Sequence, residues 1–303
     1  MNPSSIGCKL SSFWLLAFVV VLAIAFGIPS ARGQIWVSND SSGTIGEYTT
    51  SGDTVNASLV SGLNFPLGIA VSGSNLFVVN GNSGTIGEYT TSGATVNASL
   101  VSGLNAPTGI AVSGSNLFVT LHFGTIGEYT TSGATVNASL VSGLYGMMGI
   151  AVSGSNLFVV RTNGTIGEYT TSGATVNASL VSGLSYPNDV AVSGSNLFVT
   201  NSVGTIGEYT TSGATVNTSL VSGLSNPYGI AVSGSNLFVT NETTGTIGEY
   251  TTSGATVNAS LVSGLGYPVG IAVSAVPEPS TYAAIMGFAS LGFVMLRRRF
   301  VRK

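Results

Sequence analysis

The sequence predicts an all-β fold, a closed ring of six four-stranded sheets, and three observations carry that reading. First, the string GTIGEYTTSG begins at Gly43, Gly84, Gly124, Gly164, Gly204 and Gly245, at spacings of 41, 40, 40, 40 and 41 residues. Periods of this length belong to solenoids, propellers and arrays. Second, each unit holds four short runs rich in Val, Ile, Thr, Phe and Tyr, separated by Gly-, Ser-, Asn- or Pro-containing turns and without a helical stripe. Third, the strand types complement one another at the two ends. We letter the runs A (Gly-Ile-Ala-Val), B (Leu-Phe-Val), C (Ile-Gly-Glu-Tyr) and D (Thr-Val-Asn-Ala). The chain enters at B (Ile35–Ser38) and leaves after A (Gly270–Ser274), with six of each type. The last A therefore completes the first B, C and D. This closes a six-bladed β-propeller of four-stranded blades from one C-terminal and three N-terminal strands. An open solenoid would leave edges that need atypical caps.

The elements follow in chain order. Residues 1–33 read as a signal peptide: Lys9 supplies a basic start, Phe13 to Ile28 an uncharged apolar core, and Ala31-Arg32-Gly33 small residues before a cut at Gln34. Signal peptidase is thus an expected partner. Cys8 leaves with this segment. The propeller is expected over 34–275. Strand A, small and apolar (Gly68, Ile69, Ala70, Val71), suits the innermost position where blades converge. After it come Val276-Pro277-Glu278-Pro279-Ser280-Thr281, an apolar run over 282–296 expected as a transmembrane helix, and a basic tail over 297–303. Arg297, Arg298, Arg299, Arg302 and Lys303 hold five of the chain's eight bases, so they act as a stop-transfer signal. They orient the tail to the cytoplasm and the propeller outward, with the inner membrane as a transient partner.

Composition removes most chemistries. Between Gln34 and Ala275 lie ten acids and one base, Arg161. So little positive charge cannot neutralise phosphates, which excludes nucleic acid. One histidine, His122, and no cysteine in that stretch exclude thiol chemistry and His/Cys metal clusters. No catalytic triad or close carboxylate pair stands out. No catalytic residue, metal or cofactor is expected. The ring of Glu47, Glu88, Glu128, Glu168, Glu208 and Glu249 lies on strand C, far from the axis, and is expected to accept hydrogen bonds from Thr or backbone groups. The Asn-x-Ser/Thr triplets at Asn56, Asn97, Asn137, Asn177, Asn217 and Asn258 read as polar positions of strand D.

The repeats differ on one face only. A–B and C–D loops share one face of the disc and hardly vary, whereas the B–C and D–A loops share the other and carry the differences. The variable face collects the rare residues His122, Arg161, Met147, Met148 and, nearby, Asp189, which replaces the Gly of the other A strands. It also collects the aromatics Phe65, Phe123, Tyr145, Tyr186, Tyr228 and Tyr267. Rings beside Asn and Ser suit stacking on sugars with hydrogen bonds to hydroxyls, so these residues are the ligand-binding candidates. Drift in tolerant loops, with aromatics capping the blade cores, is the competing explanation.

Two resemblances extend this reading. Pro277-Glu278-Pro279 with the apolar run and Arg cluster resembles the PEP-CTERM sorting signal of Gram-negative bacteria. The resemblance implies recognition by an exosortase-type membrane protease, a cut near that motif, and delivery to the cell surface or medium. The Pro-x-Gly-Ile-Ala-Val, Leu-Phe-Val-x-Asn and Ile-x-x-Tyr order, as from Pro66 to Tyr89, resembles NHL-type and TolB-like six-bladed propellers. Propeller lactonases, similar in fold, need carboxylate, Asn or His ligands converging on the axis, where only Asp189 is charged here. Streptogramin-lyase-like propellers need histidines that His122 alone cannot supply. The expectation is a non-enzymatic module binding extracellular polysaccharide or a surface protein, with a purely structural matrix role as the alternative and a lactonase- or lyase-like enzyme behind both.

Overall fold

The structure, a computed structural model, describes residues 33–274. The signal peptide (all but Gly33), the sorting motif, the apolar run and the basic tail lie outside the described residues. Gly33–Val276 forms one compact unit.

Every regular element among the described residues is a strand, and the strands form six four-stranded antiparallel sheets. Blade II is representative, with β4 (Pro66–Ser72), β5 (Asn75–Asn80), β6 (Thr85–Thr90) and β7 (Thr95–Val101) in spatial order. Blade I closes the ring as expected. Its order is β24 (Pro268–Val273), β1 (Gln34–Asn39), β2 (Thr44–Thr49) and β3 (Thr54–Val60). The register Ile35↔Val273, Trp36↔Ala272, Val37↔Ile271 joins the two ends of the domain. The remaining innermost strands are β8 (Pro107–Ser113, blade III), β12 (Met147–Ser153, blade IV), β16 (Pro187–Ser193, blade V) and β20 (Pro227–Ser233, blade VI). Each packs on the next around the axis, and β24 meets β4.

The period-2 alternation explains where the core sits. Strand B is buried along nearly its whole length because blades stack on both of its faces. One face of blade III gives Phe118 and Ile126, and the facing side of blade IV gives Leu157, Val159 and Tyr169. The same sandwich recurs between the other neighbouring blades. Between blades I and II Trp36 stands where the other units have Phe. Strand D is the rim, and its first five residues, Thr-Val-Asn-Ala-Ser in five blades and Thr-Val-Asn-Thr-Ser in blade V, are exposed in every blade.

The glutamates of strand C are buried, and their partner is not the expected Thr or backbone. Asn75 Nδ2 donates to Glu88 Oε1 at 2.8 Å, and Asn116, Asn156, Asn196 and Asn236 repeat the bond in their blades. Gln34 Nε2 does the same for Glu47. The Asn of the invariant Ser-Gly-Ser-Asn loop therefore clamps strand B to strand C. Burial raises the pKa values of Glu47, Glu168 and Glu249. The Asn-x-Ser triplets have a local use: Asn56 Oδ1 accepts from Ser58 N–H at 3.0 Å, and the other units match it.

A β-bulge interrupts each innermost strand, between Pro66 and Ile69 in blade II for example. In four blades a strand B hydroxyl fills it. Thr240 Oγ1 accepts from Gly229 N–H at 2.8 Å and donates to Val269 O of the next blade at 2.8 Å. Ser38, Thr120 and Thr200 make the equivalent bridges to Leu67 O, Met148 O and Tyr228 O. Val79 and Val160 occupy this position in blades II and IV.

Candidate functional site

The bulge sets the composition of the axial channel. Its glycines are required by close approach, since a Cβ at Gly109 would lie 2.6 Å from Met148 O and one at Gly68 2.8 Å from Thr108 O. At the glycine position only blade V carries a side chain, that of Asp189, which takes the space a Cβ on Gly149 would need. Immediately before each glycine position stand Leu67, Thr108, Met148, Asn188, Tyr228 and Val269. Six nearly identical repeats thus place six different residues at this position.

All of these but Leu67, together with the glycines and Asp189, line a cavity of about 110 Å³ on the axis. Asp189 Oδ1 accepts from Val190 N–H at 2.9 Å and Oδ2 from Ile230 N–H at 3.1 Å. Burial still dominates and pushes its pKa up to about 7. Tyr228 is raised above the usual phenol range by burial first, then by the charges of Asp189, Glu242 and Asp40. Glu242 is raised by burial and by Asp40, and Asp40 by burial. Asn188 Nδ2 donates to Ser202 Oγ and to Pro227 O.

Around this mouth the B–C and D–A loops form the rim of one face. Backbone bonds tie them together, with Gly81 N–H donating to Phe65 O and Ser202 N–H to Tyr186 O, both at 2.9 Å. On the opposite face Thr91 N–H donates to Ser74 O at 2.8 Å. The D–A loop reaches its apex in a left-handed residue just before strand A. Phe65 (φ 60°), Ala106 (φ 49°), Tyr186 (φ 50°), Asn226 (φ 51°) and Tyr267 (φ 53°) take this conformation, and Gly146 (φ 66°) takes it in blade IV. Phe65, Tyr186 and Tyr267 are 42%, 74% and 57% exposed there. Phe123 and Tyr145 are likewise exposed on the same face.

The sequence-derived candidates therefore divide into two groups. Phe65, Phe123, Tyr145, Tyr186 and Tyr267 stand on the rim. Tyr228 does not, because its place on β20 turns it into the channel mouth beside Asp189. His122 is tethered, with Nδ1 3.3 Å from Met147 O and its ring edge-to-face with Phe123 at 5.1 Å. Arg161 is half-buried at the end of a strand B, where four other units have Asn. Its charge lies close to the buried Tyr169 hydroxyl and lowers that pKa against a larger rise from burial, but Nε meets no acceptor at hydrogen-bond geometry. Asp40 and Glu242 are the functional candidates that the sequence reading passed over. Their signal was available: both are carboxylates in variable B–C loops of adjacent blades.

Comparison with known proteins adds a family. The Virginiamycin B lyase family matches residues 21–238. The chain belongs to that family. In this Virginiamycin B lyase family member the PEP-CTERM protein-sorting motif matches residues 275–299, which marks an exported protein with a transient C-terminal membrane anchor and an exosortase as processing partner. No curated protein matches the chain. Similar solved structures share the fold. A chain of a nidogen/laminin complex has a TM-score of 0.69 at 16% identity, covering 80% of this chain and 99% of that one. A streptogramin B lyase has a TM-score of 0.52 at 20% identity, covering 82% and 75%. A catalytically inactive His-to-Ala variant of virginiamycin B lyase from Staphylococcus aureus, with quinupristin, has a TM-score of 0.52 at 19% identity, covering 79% and 78%.

Proposed function

We propose that the propeller is a non-enzymatic binding module of the exported cell-surface protein, taking extracellular polysaccharide on its variable face by ring stacking at Phe65, Tyr186 and Tyr267, with Tyr145 and Phe123 beside them. One observation carries this reading: exposed aromatic rings held in left-handed backbone. Such a conformation costs a non-glycine residue about 1–2 kcal/mol, and leaving a ring in water recovers none of it. Gly146 occupies the same position in blade IV, so the fold does not require a ring there. A side chain that strains the backbone and packs on little serves something outside the chain. Rigid loops on a closed scaffold then hold the rings in place for flat, apolar sugar faces.

The test is binding of the propeller unit to the polysaccharide of its own extracellular matrix, with Tyr186→Gly/Tyr267→Gly alongside. Relief of strain and glycine's extra chain entropy of about 0.5–1 kcal/mol nearly cancel, so the variant keeps its stability within about 1 kcal/mol. Its binding falls at least tenfold. Equal binding by both proteins, or none by either, rejects stacking and leaves the structural matrix role.

Family membership favours a second reading, a lyase. Its imidazole would have to be His122, whose ring is held between Met147 O and Phe123. Turnover of quinupristin that disappears in His122→Ala would establish that reading and displace the first.

A further inference from the structure

The basic side chains of the propeller, His122 and Arg161, stand on adjacent blades of the variable face. His122 follows β9 (Asn116–Leu121) in blade III, and Arg161 ends β13 (Asn156–Arg161) in blade IV. The D–A loop between them ties both to one place. Gly146 N–H donates to His122 O at 2.9 Å, and Thr162 N–H donates to Gly146 O at 2.7 Å. Met147 pairs across the ladder with Arg161, while its carbonyl oxygen lies 3.3 Å from His122 Nδ1. The two side chains therefore start on either side of one residue. Phe123 and Tyr145, both exposed, stand beside them.

Two bases on a surface are ordinarily just solvated. Arg161 is not. Its Nε is buried and meets no acceptor, and beside it the hydroxyl of the wholly buried Tyr169 has no partner either. Tyr169 reaches this end of the blade because its ring lies over Gly167, where a Cβ would come 2.6 Å from the hydroxyl. Four other blades carry Asn at the Arg161 position, namely Asn39, Asn80, Asn201 and Asn241, and each donates to the first Thr of strand C. What those blades leave unpartnered is a neutral amide oxygen. Arg161 gives up that bond and leaves a half-buried charge without a counter-ion. The carboxylate of its own blade, Glu168, is held by Asn156 Nδ2 at 2.8 Å, at the far end of β13. A purely structural position would have kept Asn.

We propose that Arg161 and His122, with Tyr145 and Phe123 beside them, form a subsite for the carboxylate of a hexuronate unit in the polysaccharide carried by the rim aromatics. The proposal rests on the polysaccharide reading and names its chemical class. Three features favour an acidic sugar. A carboxylate supplies the counter-charge that Arg161 lacks, and its plane matches the guanidinium fork. His122 turns Nδ1 to Met147 O, which leaves Nε2 for a ligand, and Phe123 holds the imidazole edge-to-face at 5.1 Å. A uronate carries its charge on a pyranose ring, so an exposed aromatic ring beside a base meets both parts of one unit. The charges in the B–C loops of blades VI and I are the carboxylates Glu242 and Asp40. They repel an acidic unit from their side of the face and direct it to blades III and IV.

The experiment is calorimetric titration of the propeller unit, at low and at high salt, with oligogalacturonate, with the same oligomer fully methyl-esterified, and with inorganic sulfate alone. Arg161→Asn, the residue of four other blades, and His122→Gln run in parallel. We expect the acid to bind at least tenfold tighter than its ester at low salt. That preference should fall as salt rises, vanish in Arg161→Asn and shrink in His122→Gln. Urea unfolding should find Arg161→Asn at least as stable as the natural chain; a marked loss would give the guanidinium a structural role and overturn the subsite. A preference for the acid that survives in Arg161→Asn also overturns it. Sulfate binding as tightly as the acidic oligomer overturns the sugar assignment. Equal affinity for acid and ester, lost in Tyr186→Gly/Tyr267→Gly, overturns the carboxylate subsite and leaves the stacking reading standing. Binding of neither oligomer overturns the subsite, while the stacking reading is decided by the matrix polysaccharide itself.

Discussion

Asp189→Gly has the best-defined consequence for stability. A carboxyl whose pKa rises from 3.8 in the unfolded chain to about 7 in the fold holds its proton more tightly when folded. Its contribution is therefore most favourable at low pH, declines as pH rises from about 4 to about 7, and is flat above that. The shift of about three units corresponds to about 4 kcal/mol above pH 7. Glycine removes this penalty. Against the gain stand two lost backbone hydrogen bonds and glycine's entropy, together about 1–3 kcal/mol. We expect Asp189→Gly to be more stable than the natural chain at pH 8, by about 1–3 kcal/mol. The advantage should shrink by about 2.5 kcal/mol at pH 5, as the linkage relation gives for these two pKa values. Urea unfolding of the propeller unit at both pH values measures it. Parallel stability–pH curves for the two proteins would refute the buried-carboxylate reasoning.

Other consequences follow from the core. Thr240→Val removes the hydroxyl that joins Gly229 N–H to Val269 O and should cost about 1–3 kcal/mol in urea unfolding. Val79→Thr supplies the missing bridge in blade II and should gain about 0.5–1.5 kcal/mol; loss in that variant would contradict the role given to the hydroxyls. Trp36→Ala opens the seam between blades I and II, where Trp36 packs with Ile69, Leu76 and Tyr89. It should cost about 3–5 kcal/mol and broaden the thermal transition, whereas a change below 1 kcal/mol would mean that the seam does not hold the ring.

The fold was legible because the repeat makes the same argument six times. Four runs per forty residues, and the B-first, A-last permutation, specify blade count and closure without any contact being known. The site was less legible. Loop sequence told which face varies, yet Tyr228 and Tyr267 look alike in the sequence. Two positions relative to the proline separate them: Tyr267 precedes Pro268 and stands out in left-handed backbone, whereas Tyr228 follows Pro227 and lines the channel. Arg161 read as a ligand-binding candidate because a one-dimensional pattern does not show that its charge lies close to the buried Tyr169 hydroxyl. Asp40 and Glu242 lie 202 residues apart in the sequence, and only closure of the ring brings their blades, I and VI, side by side. The strand C glutamates were rightly expected to accept hydrogen bonds, but their donor is the Asn of the invariant loop rather than Thr or backbone, because the pairing of strands B and C brings that Asn alongside.

Amide hydrogen exchange with and without the matrix polysaccharide tests the binding face most directly. The account predicts slowed exchange in the D–A and B–C loops around Phe65, Tyr186, Tyr267 and Glu242, with the Ser-Gly-Ser-Asn loops of the opposite face unchanged. Protection confined to that opposite face, or none anywhere at saturating polymer, would contradict it.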